Sequence, residues 1–176
     1  EHPLLDESVV NAVIESDFYA FHKLMEDRLE DVPGLKFCTS KDVLIWFSGL
    51  RTLSSESGAR VNAKIELNDG GYIFIEIRYF RPTVFFKYKG QRKTRMSPQY
   101  CGRENEYGVI FWVTHYEKSV DGTGWREKNT LSKSVQNQFS GIKQQADLAD
   151  LVAENVMQTL QDETCKELLF GASMAL

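Results

Sequence analysis

The sequence predicts an α+β fold in which a long helix precedes an antiparallel sheet and a second long helix follows it. Three observations lead to this prediction. Apolar residues recur at steps of three and four over 6–31, they alternate with polar residues in much of 35–130, and they return to helical spacing over 134–168. Because strands and helices do not alternate along the chain, an open parallel sheet is disfavoured.

The first helix is predicted for 6–31. Phe18, Phe21 and Met25 lie at helical spacing, and acidic residues such as Glu15 and Asp27 fall on the opposite side. A short polar residue near position 6 can cap its start, and the Pro-Gly pair that follows the segment is a typical stop. We therefore expect a helix with one apolar face and one acidic face.

The sheet is predicted for 35–130, as a meander of five to seven strands or a partly closed barrel. Alternation of apolar and polar residues over 59–67 indicates a strand with one buried face, and the sequence Asn-Asp-Gly-Gly at 68–71 favours a tight hairpin turn. Further strands are expected near 72–80, 84–88, 108–117 and 125–130. Residues 43–47 suit a buried strand or a short helix, and we favour the strand.

The second helix is predicted for 134–168, followed by a frayed tail over 169–176. Its apolar residues form a narrow stripe in which small side chains allow close approach to another surface. We expect a partner helix to contact Ile142, Ala149, Ala153, Val156 and Leu160. A chain of 176 residues is long enough for one core, so 1–176 is read as a single domain.

The order of these elements suggests three architectures by analogy. Seven strands closed by a terminal helix would resemble a pleckstrin-homology-like barrel, and fewer strands between two helices would resemble an RWD-like or polo-box-like sheet. These folds carry many functions, so the analogy supports an interaction module only by association.

Charge is distributed unevenly along the chain. The formal net charge is −4, yet the 26 residues of 78–103 contain eight basic and no acidic side chains. The other 150 residues then carry 13 basic and 25 acidic side chains, a balance of −12. A basic segment on an acidic body can attract an anionic partner.

This basic segment is the predicted site for an anionic partner. Aromatic and basic residues alternate in its strands, which is the composition that single-stranded nucleic acid or an anionic lipid would require. The residues assigned to this site are Arg78, Lys87, Lys89, Arg92, Lys93, Arg95 and Arg103. Residues from 87 to 103 are read as a mobile loop, and Ser97, which precedes a proline, is a candidate phosphorylation site whose modification would cancel part of the charge.

No catalytic, cofactor or metal motif is specific enough to predict an enzyme. Cys38, Cys101 and Cys165 are scattered without a C-x-x-C pair, which predicts neither a disulfide framework nor a zinc site. Cys101 and His115 could form a nucleophile pair, but no orienting carboxylate is indicated. We therefore expect no catalytic residues and no cofactor.

The leading functional prediction is a non-catalytic protein-interaction or adaptor domain that self-associates through its second helix or binds another protein. The alternative is nucleic-acid or phosphoinositide binding through 78–103. Scattered cysteines and the lack of a long apolar run favour an intracellular protein, cytoplasmic or nuclear, without a transmembrane segment. The chain starts at Glu1 rather than Met, so we expect a processed or excised segment.

Overall fold

The chain forms an α+β structure, which confirms the predicted class. The computed structural model describes residues 5–38, 58–82, 84–88, 91–95, 106–118, 125–128, 137–163 and 165–167. The two long helices are α1 (Glu7–Arg28) and α2 (Gln145–Leu160). The strands are β1 (Leu5–Asp6), β2 (Leu35–Phe37), β3 (Gly58–Glu66), β4 (Tyr72–Phe80), β5 (Val84–Tyr88), β6 (Gln91–Arg95), β7 (Tyr107–Lys118), β8 (Trp125–Lys128) and β9 (Asn137–Ile142).

The strands belong to two sheets. Five strands run antiparallel in the spatial order β2-β3-β4-β7-β8 and curl into a half-barrel. Strand β9 pairs with β7 on the same edge as β8, but further towards the start of β7. The smaller sheet has the order β1-β5-β6, with β1 parallel to β5 and β5 antiparallel to β6. The predicted strands at 72–80, 84–88 and 108–117 are confirmed.

The hairpin between β3 and β4 forms at the predicted turn. Gly70 has a φ of 88°, a left-handed conformation that a residue without Cβ adopts without strain. The backbone N–H of Leu67 donates to the carbonyl oxygen of Gly71 at 2.8 Å, and the N–H of Gly71 donates to Asp69 Oδ1, also at 2.8 Å. The turn therefore sets the register in which nine residues of β3 face nine of β4.

Both helices pack on the same face of the large sheet. This face is formed by the alternate apolar residues of β3, β4 and β7, and it meets the apolar sides of α1 and α2 in one core. The largest core side chains are Tyr79, Phe18, Phe21, Phe111, Met25, Leu29, Ile73 and Ile75. An ion pair between Arg28 and Asp150 also joins the two helices. The predicted apolar face of α1 is thus confirmed as a core face.

The predicted helix 134–168 is wrong over its first third. Residues Asn137–Ile142 form β9, and the helix starts at Gln145. Phe139 and Ile142 are three residues apart, as on a helix, and both pack against the core. They can do so from a strand because the pairing with β7 is shifted by a bulge, and Gly141 has a φ of 78°. The bulge therefore gives the core-facing residues of β9 a spacing that is also typical of a helix.

Residues Gln91–Arg95 were read as part of a mobile loop and instead form β6. They pair antiparallel with β5, which brings basic residues into a β-ribbon. The interpretations of 43–47, Lys89, Ser97, Cys101, Arg103 and the tail 169–176 fall outside the described residues. Within the described part of the chain, no helix has both the length and the apolar character needed to cross a bilayer.

Candidate interaction surface

The face of the large sheet opposite the helices carries aromatic and charged side chains. Because side chains alternate along a strand, the residues between the core positions point to this outer face. Among the outer residues whose side chains are described, Lys36 and Glu66 are exposed, Phe80 and Ile110 are buried, and the others are partly buried. The partly buried set is Arg60, Asn62, Lys64, Tyr72, Phe74, Glu76, Arg78, Trp112, Thr114 and Tyr116.

Three rings at one end of the outer face form a compact cluster, which we call the aromatic surface: Tyr72, Phe74 and Tyr116. Tyr72 and Tyr116 are direct cross-strand neighbours, with ring centroids 5.2 Å apart and an angle of 23° between ring planes. Phe74 meets both rings edge-on, at 6.3 Å from Tyr116 and 6.4 Å from Tyr72. Such pairs contribute about 0.5–1.5 kcal/mol beyond area burial. The cluster is therefore a preorganised patch.

Carboxylates lie beside three of the cations on the outer face. Glu76 Oε2 lies 2.8 Å from Arg78 Nε and 3.9 Å from Arg60 Nε, so one carboxylate serves two guanidinium groups. Lys64 Nζ lies 3.4 Å from Glu66 Oε1 and 5.7 Å from the centre of the Tyr72 ring. Arg60, Lys64 and Arg78 therefore share two carboxylates, each cation having one within 4 Å.

In the middle of the outer face a guanidinium group covers an indole ring, and the far end of the face is buried. The guanidinium carbon of Arg78 lies 4.8 Å from the centre of the Trp112 ring, which occupies the face of the indole. Beyond it, Phe80 and Ile110 form a second buried cluster with Trp112 packed against it. Phe80 is thus buried at this end of the face, whereas the side chain of Phe74 lies in the partly exposed aromatic surface.

A second polar cluster lies at the junction of α1, β4 and α2, and we call it the Asp17 junction. The Tyr79 hydroxyl donates to Asp17 Oδ2 at 2.6 Å and accepts from Gln145 Nε2 at 2.9 Å. The same amide nitrogen donates to the backbone oxygen of Asp17 at 3.0 Å. Arg81 Nε lies 3.9 Å from Asp17 Oδ2. One side chain from each element thus meets at a single carboxylate.

Burial controls the acid–base properties of this junction. Loss of hydration raises the pKa of Asp17 above its ordinary value, although the Arg81 charge and the Tyr79 hydrogen bond both lower it. Burial also raises the pKa of Tyr79 well above 10.0, with the Asp17 charge acting in the same direction. The nearby Tyr107 has its pKa raised for the same two reasons, opposed by Arg81. Both phenols therefore remain protonated at neutral pH.

The residues predicted to bind an anionic partner are divided between two places. Arg78 lies on the outer face of the large sheet beside Glu76. Lys87 belongs to β5 and pairs in register with Arg92 of β6. Lys93 and Arg95 come after Arg92 in the same strand. Five of the seven assigned residues therefore lie in described strands, and four of these five belong to one ribbon.

The predicted partner-helix residues belong to the core of the chain itself. Ala149 and Val156 have no exposed surface, and Ala153 and Leu160 are exposed by only 3% and 7%. Ile142 is partly buried on β9 rather than on the helix. The stripe is therefore covered by the chain's own sheet and first helix.

Sequence reasoning missed the Asp17 junction and the ring pair of Tyr72 and Tyr116. A signal for the junction was present, because Tyr79 follows the inward positions of β4, where a hydroxyl needs a buried partner. Its partners Asp17 and Gln145 are 62 and 66 residues away in sequence. The ring pair depends on the register of β4 with β7, which the pattern of either strand alone does not define.

The candidate nucleophile pair of Cys101 and His115 can be described for one member. His115 is 2% exposed and lies on β7 among core residues. Among the residues that the structure describes, no group of three or more histidine, cysteine or acidic side chains is arranged to hold a metal ion. The candidate sites on the large sheet and helices of the described chain are the aromatic surface and the Asp17 junction.

Comparison with protein-family models gives no match for this chain, and searches of curated proteins and of solved structures give no significant match either. We therefore argue function from the residues of this chain alone.

Proposed function

We propose that this chain is a non-catalytic protein-interaction domain that binds its partner through the aromatic surface. The observation that carries the proposal is the cluster of Tyr72, Phe74 and Tyr116, partly exposed on the sheet face opposite the core that holds the helices. The partner is another protein or a second copy of the chain.

The composition of the outer face supports a protein partner. Tyr, Trp, Phe and Arg are enriched at the centres of protein interfaces, where aromatic anchors carry most of the binding energy. The cations beside the rings have carboxylate neighbours, namely Glu66 for Lys64 and Glu76 for Arg78. A phosphate polymer would have to compete with these carboxylates, whereas a protein surface can contact the rings directly.

Because the apolar stripe of α2 is buried, the proposed partner contact is on the large sheet rather than on this helix. A second copy could reach Ala149 and Val156 only if the core opened, because both are fully buried. The aromatic surface needs no such opening. The Asp17 junction fits a structural role, since its polar groups are hydrogen-bonded to one another.

The finer predictions from the sequence remain part of this proposal. They are the adaptor role, an intracellular location in cytoplasm or nucleus, and a pleckstrin-homology-like, RWD-like or polo-box-like family. The fold families were suggested by the predicted order of helix, sheet and helix, and the half-barrel lies between two helices in the same order.

The test compares the wild-type chain with a Tyr72→Thr, Tyr116→Thr double variant. Thr keeps the β-branched shape that suits a strand while it removes both rings. The control is Met157→Thr on α2, where the replaced side chain is 38% exposed and lies away from the aromatic surface. Circular dichroism checks that all three proteins are folded.

Light scattering measures self-association, and affinity capture from cell extract with quantitative mass spectrometry measures other partners. We expect one interaction, with a second copy or with a defined protein, that is lost in the double variant and kept in the Met157→Thr control. If wild type and double variant give the same mass and the same captured proteins, the aromatic surface is not a binding site.

A further inference from the structure

The ribbon formed by β5 and β6 concentrates positive charge at one edge of the small sheet. Its ten residues include no acidic side chain and four basic ones: Lys87, Arg92, Lys93 and Arg95. The third strand of the sheet adds one acidic residue, Asp6, which pairs in register with Lys87. The described strands of this sheet therefore have a formal charge of +3, whereas the whole chain has −4 and the rest of it −7.

The register places like charges opposite each other. Lys87 of β5 is the direct cross-strand partner of Arg92 of β6, and like charges in this position destabilise a β-ribbon. Asp6 is a neighbour of Lys87 only, because β1 and β6 lie on opposite sides of β5. The three basic residues of β6 thus lie on the strand furthest from that carboxylate, where a bound anion would relieve the repulsion.

The two basic regions of the chain differ in whether acidic residues accompany the basic ones. On the outer face of the large sheet, Glu76 lies beside Arg78 and Arg60. Within β5 and β6 the sequence supplies no carboxylate. Charge complementarity therefore favours the ribbon over the aromatic surface as the place where a polyanion would bind.

We propose that the β5–β6 ribbon binds single-stranded nucleic acid. Cations along a strand neutralise successive phosphates, and aromatic residues next to them provide rings on which bases stack. Alternate positions along a strand share a face, so the positions of Phe85, Lys87 and Arg92 lie on one face of the ribbon. Those of Phe86, Lys93 and Arg95 lie on the other, which gives each face an aromatic residue and two cations. This second site is separate from the aromatic surface, and its failure would leave the protein-interaction proposal intact.

The test is fluorescence anisotropy of a labelled single-stranded oligothymidylate with the complete chain. Each phosphate neutralised on a single strand contributes a slope of about −0.7 to the dependence of log K on log salt. A strand bound to one face meets two of the four cations, so the slope should be about −1.4 and the affinity should fall by about sevenfold between 50 and 200 mM salt. The double variant Arg92→Gln, Lys93→Gln keeps one cation on each face and should lose only about 2.6-fold over the same range.

The matched control is the double variant Lys143→Gln, Lys166→Gln, which removes the same charge from two exposed positions outside the ribbon. It should bind and respond to salt as the wild type does. Absence of binding at low salt would overturn the proposal, as would an equal loss in the control. Binding to anionic vesicles without binding to the oligonucleotide would assign the ribbon to a lipid surface instead. Equal affinity for a duplex of the same length would remove the single-strand preference.

Discussion

Tyr79 donates a 2.6 Å hydrogen bond to Asp17, a residue 62 positions earlier in the chain, and the bond joins the sheet to the first helix. The same hydroxyl accepts from Gln145, the first residue of α2. The ring of Tyr79 also stacks on Phe21, with centroids 4.1 Å apart. One side chain therefore ties both helices to β4, by polar contacts at its tip and by packing along its ring.

Replacing Tyr79 by Phe should destabilise the fold by about 1–3 kcal/mol, since the buried Asp17 oxygen loses its donor. The ring is retained, so its stack on Phe21 should persist. Urea unfolding followed by tryptophan fluorescence measures the change. In a double-mutant cycle with Asp17→Asn we expect a coupling energy of about 0.5–3 kcal/mol. Strictly additive effects would show that the hydrogen bond contributes nothing to stability.

Replacing Asp17 by Asn should change the pH dependence of stability. In the folded chain burial raises the pKa of Asp17 above its ordinary value of 3.8, so the folded state holds this proton more tightly than the unfolded state. The neutral carboxyl therefore contributes stability that is complete below pH 3.8 and is lost as the pH rises through the folded-state pKa. Asn does not titrate and has no such dependence.

The measured quantity is the difference in unfolding free energy between wild type and Asp17→Asn at a series of pH values and constant ionic strength. The difference should move in favour of the variant from pH 3.8 towards neutral pH. Movement in favour of the wild type would mean that Arg81 and Tyr79 outweigh the cost of burial.

Truncation of Leu148 to Ala should cost about 2–5 kcal/mol, because this fully buried side chain of α2 fills the core. The matched variant Met157→Ala is on the same helix, but its side chain is 38% exposed, and its cost should stay within about 0.5 kcal/mol. Thermal and urea unfolding measure both. Similar costs for the two variants would contradict the placement of the α2 stripe against the chain's own sheet.

At Gly71 the β3–β4 turn passes close to β7. A Cβ at this position would lie 2.6 Å from the backbone oxygen of Tyr116, so Gly71→Ala should cost about 1–3 kcal/mol through backbone displacement. A Cβ at Gly141 would meet no atom within 4 Å. Gly141→Ala should therefore cost only the backbone strain of a φ of 78°, and Gly141→Asn should cost less. A Gly71→Ala variant as stable as the wild type would refute this close approach.

Patterns within one element predicted most of the fold. The 3.6-residue period of α1 and the turn residues before Tyr72 depend only on local sequence, and both occur as predicted. Strand β9 was misread because Phe139 and Ile142 have a helical spacing that a bulge also produces. Strand β6 was missed because its five residues, Gln91–Arg95, have no apolar alternation.

The candidate sites were less accessible to sequence reasoning because they depend on register between distant segments. The outward direction of Tyr72 and Phe74 followed from the alternation of β4, but the stack with Tyr116 required the β4–β7 register. In the same way, the basic character of 78–103 was evident, whereas the ion pair between Arg78 and Glu76 required side-chain positions. Composition identified the residue types, and tertiary pairing decided which of them meet.

The long sequence separation between contacting elements has a consequence for how this chain folds. Helix α1 packs against α2, and Arg28 reaches Asp150 over 122 residues. During synthesis the contacts of α1 with α2 must therefore wait until the ribosome has delivered nearly all of the described chain. Proteins dominated by such distant contacts fold slowly, because the entropy of closing a long loop is lost before the contact contributes stability. We expect nascent α1 to be a segment that molecular chaperones shield.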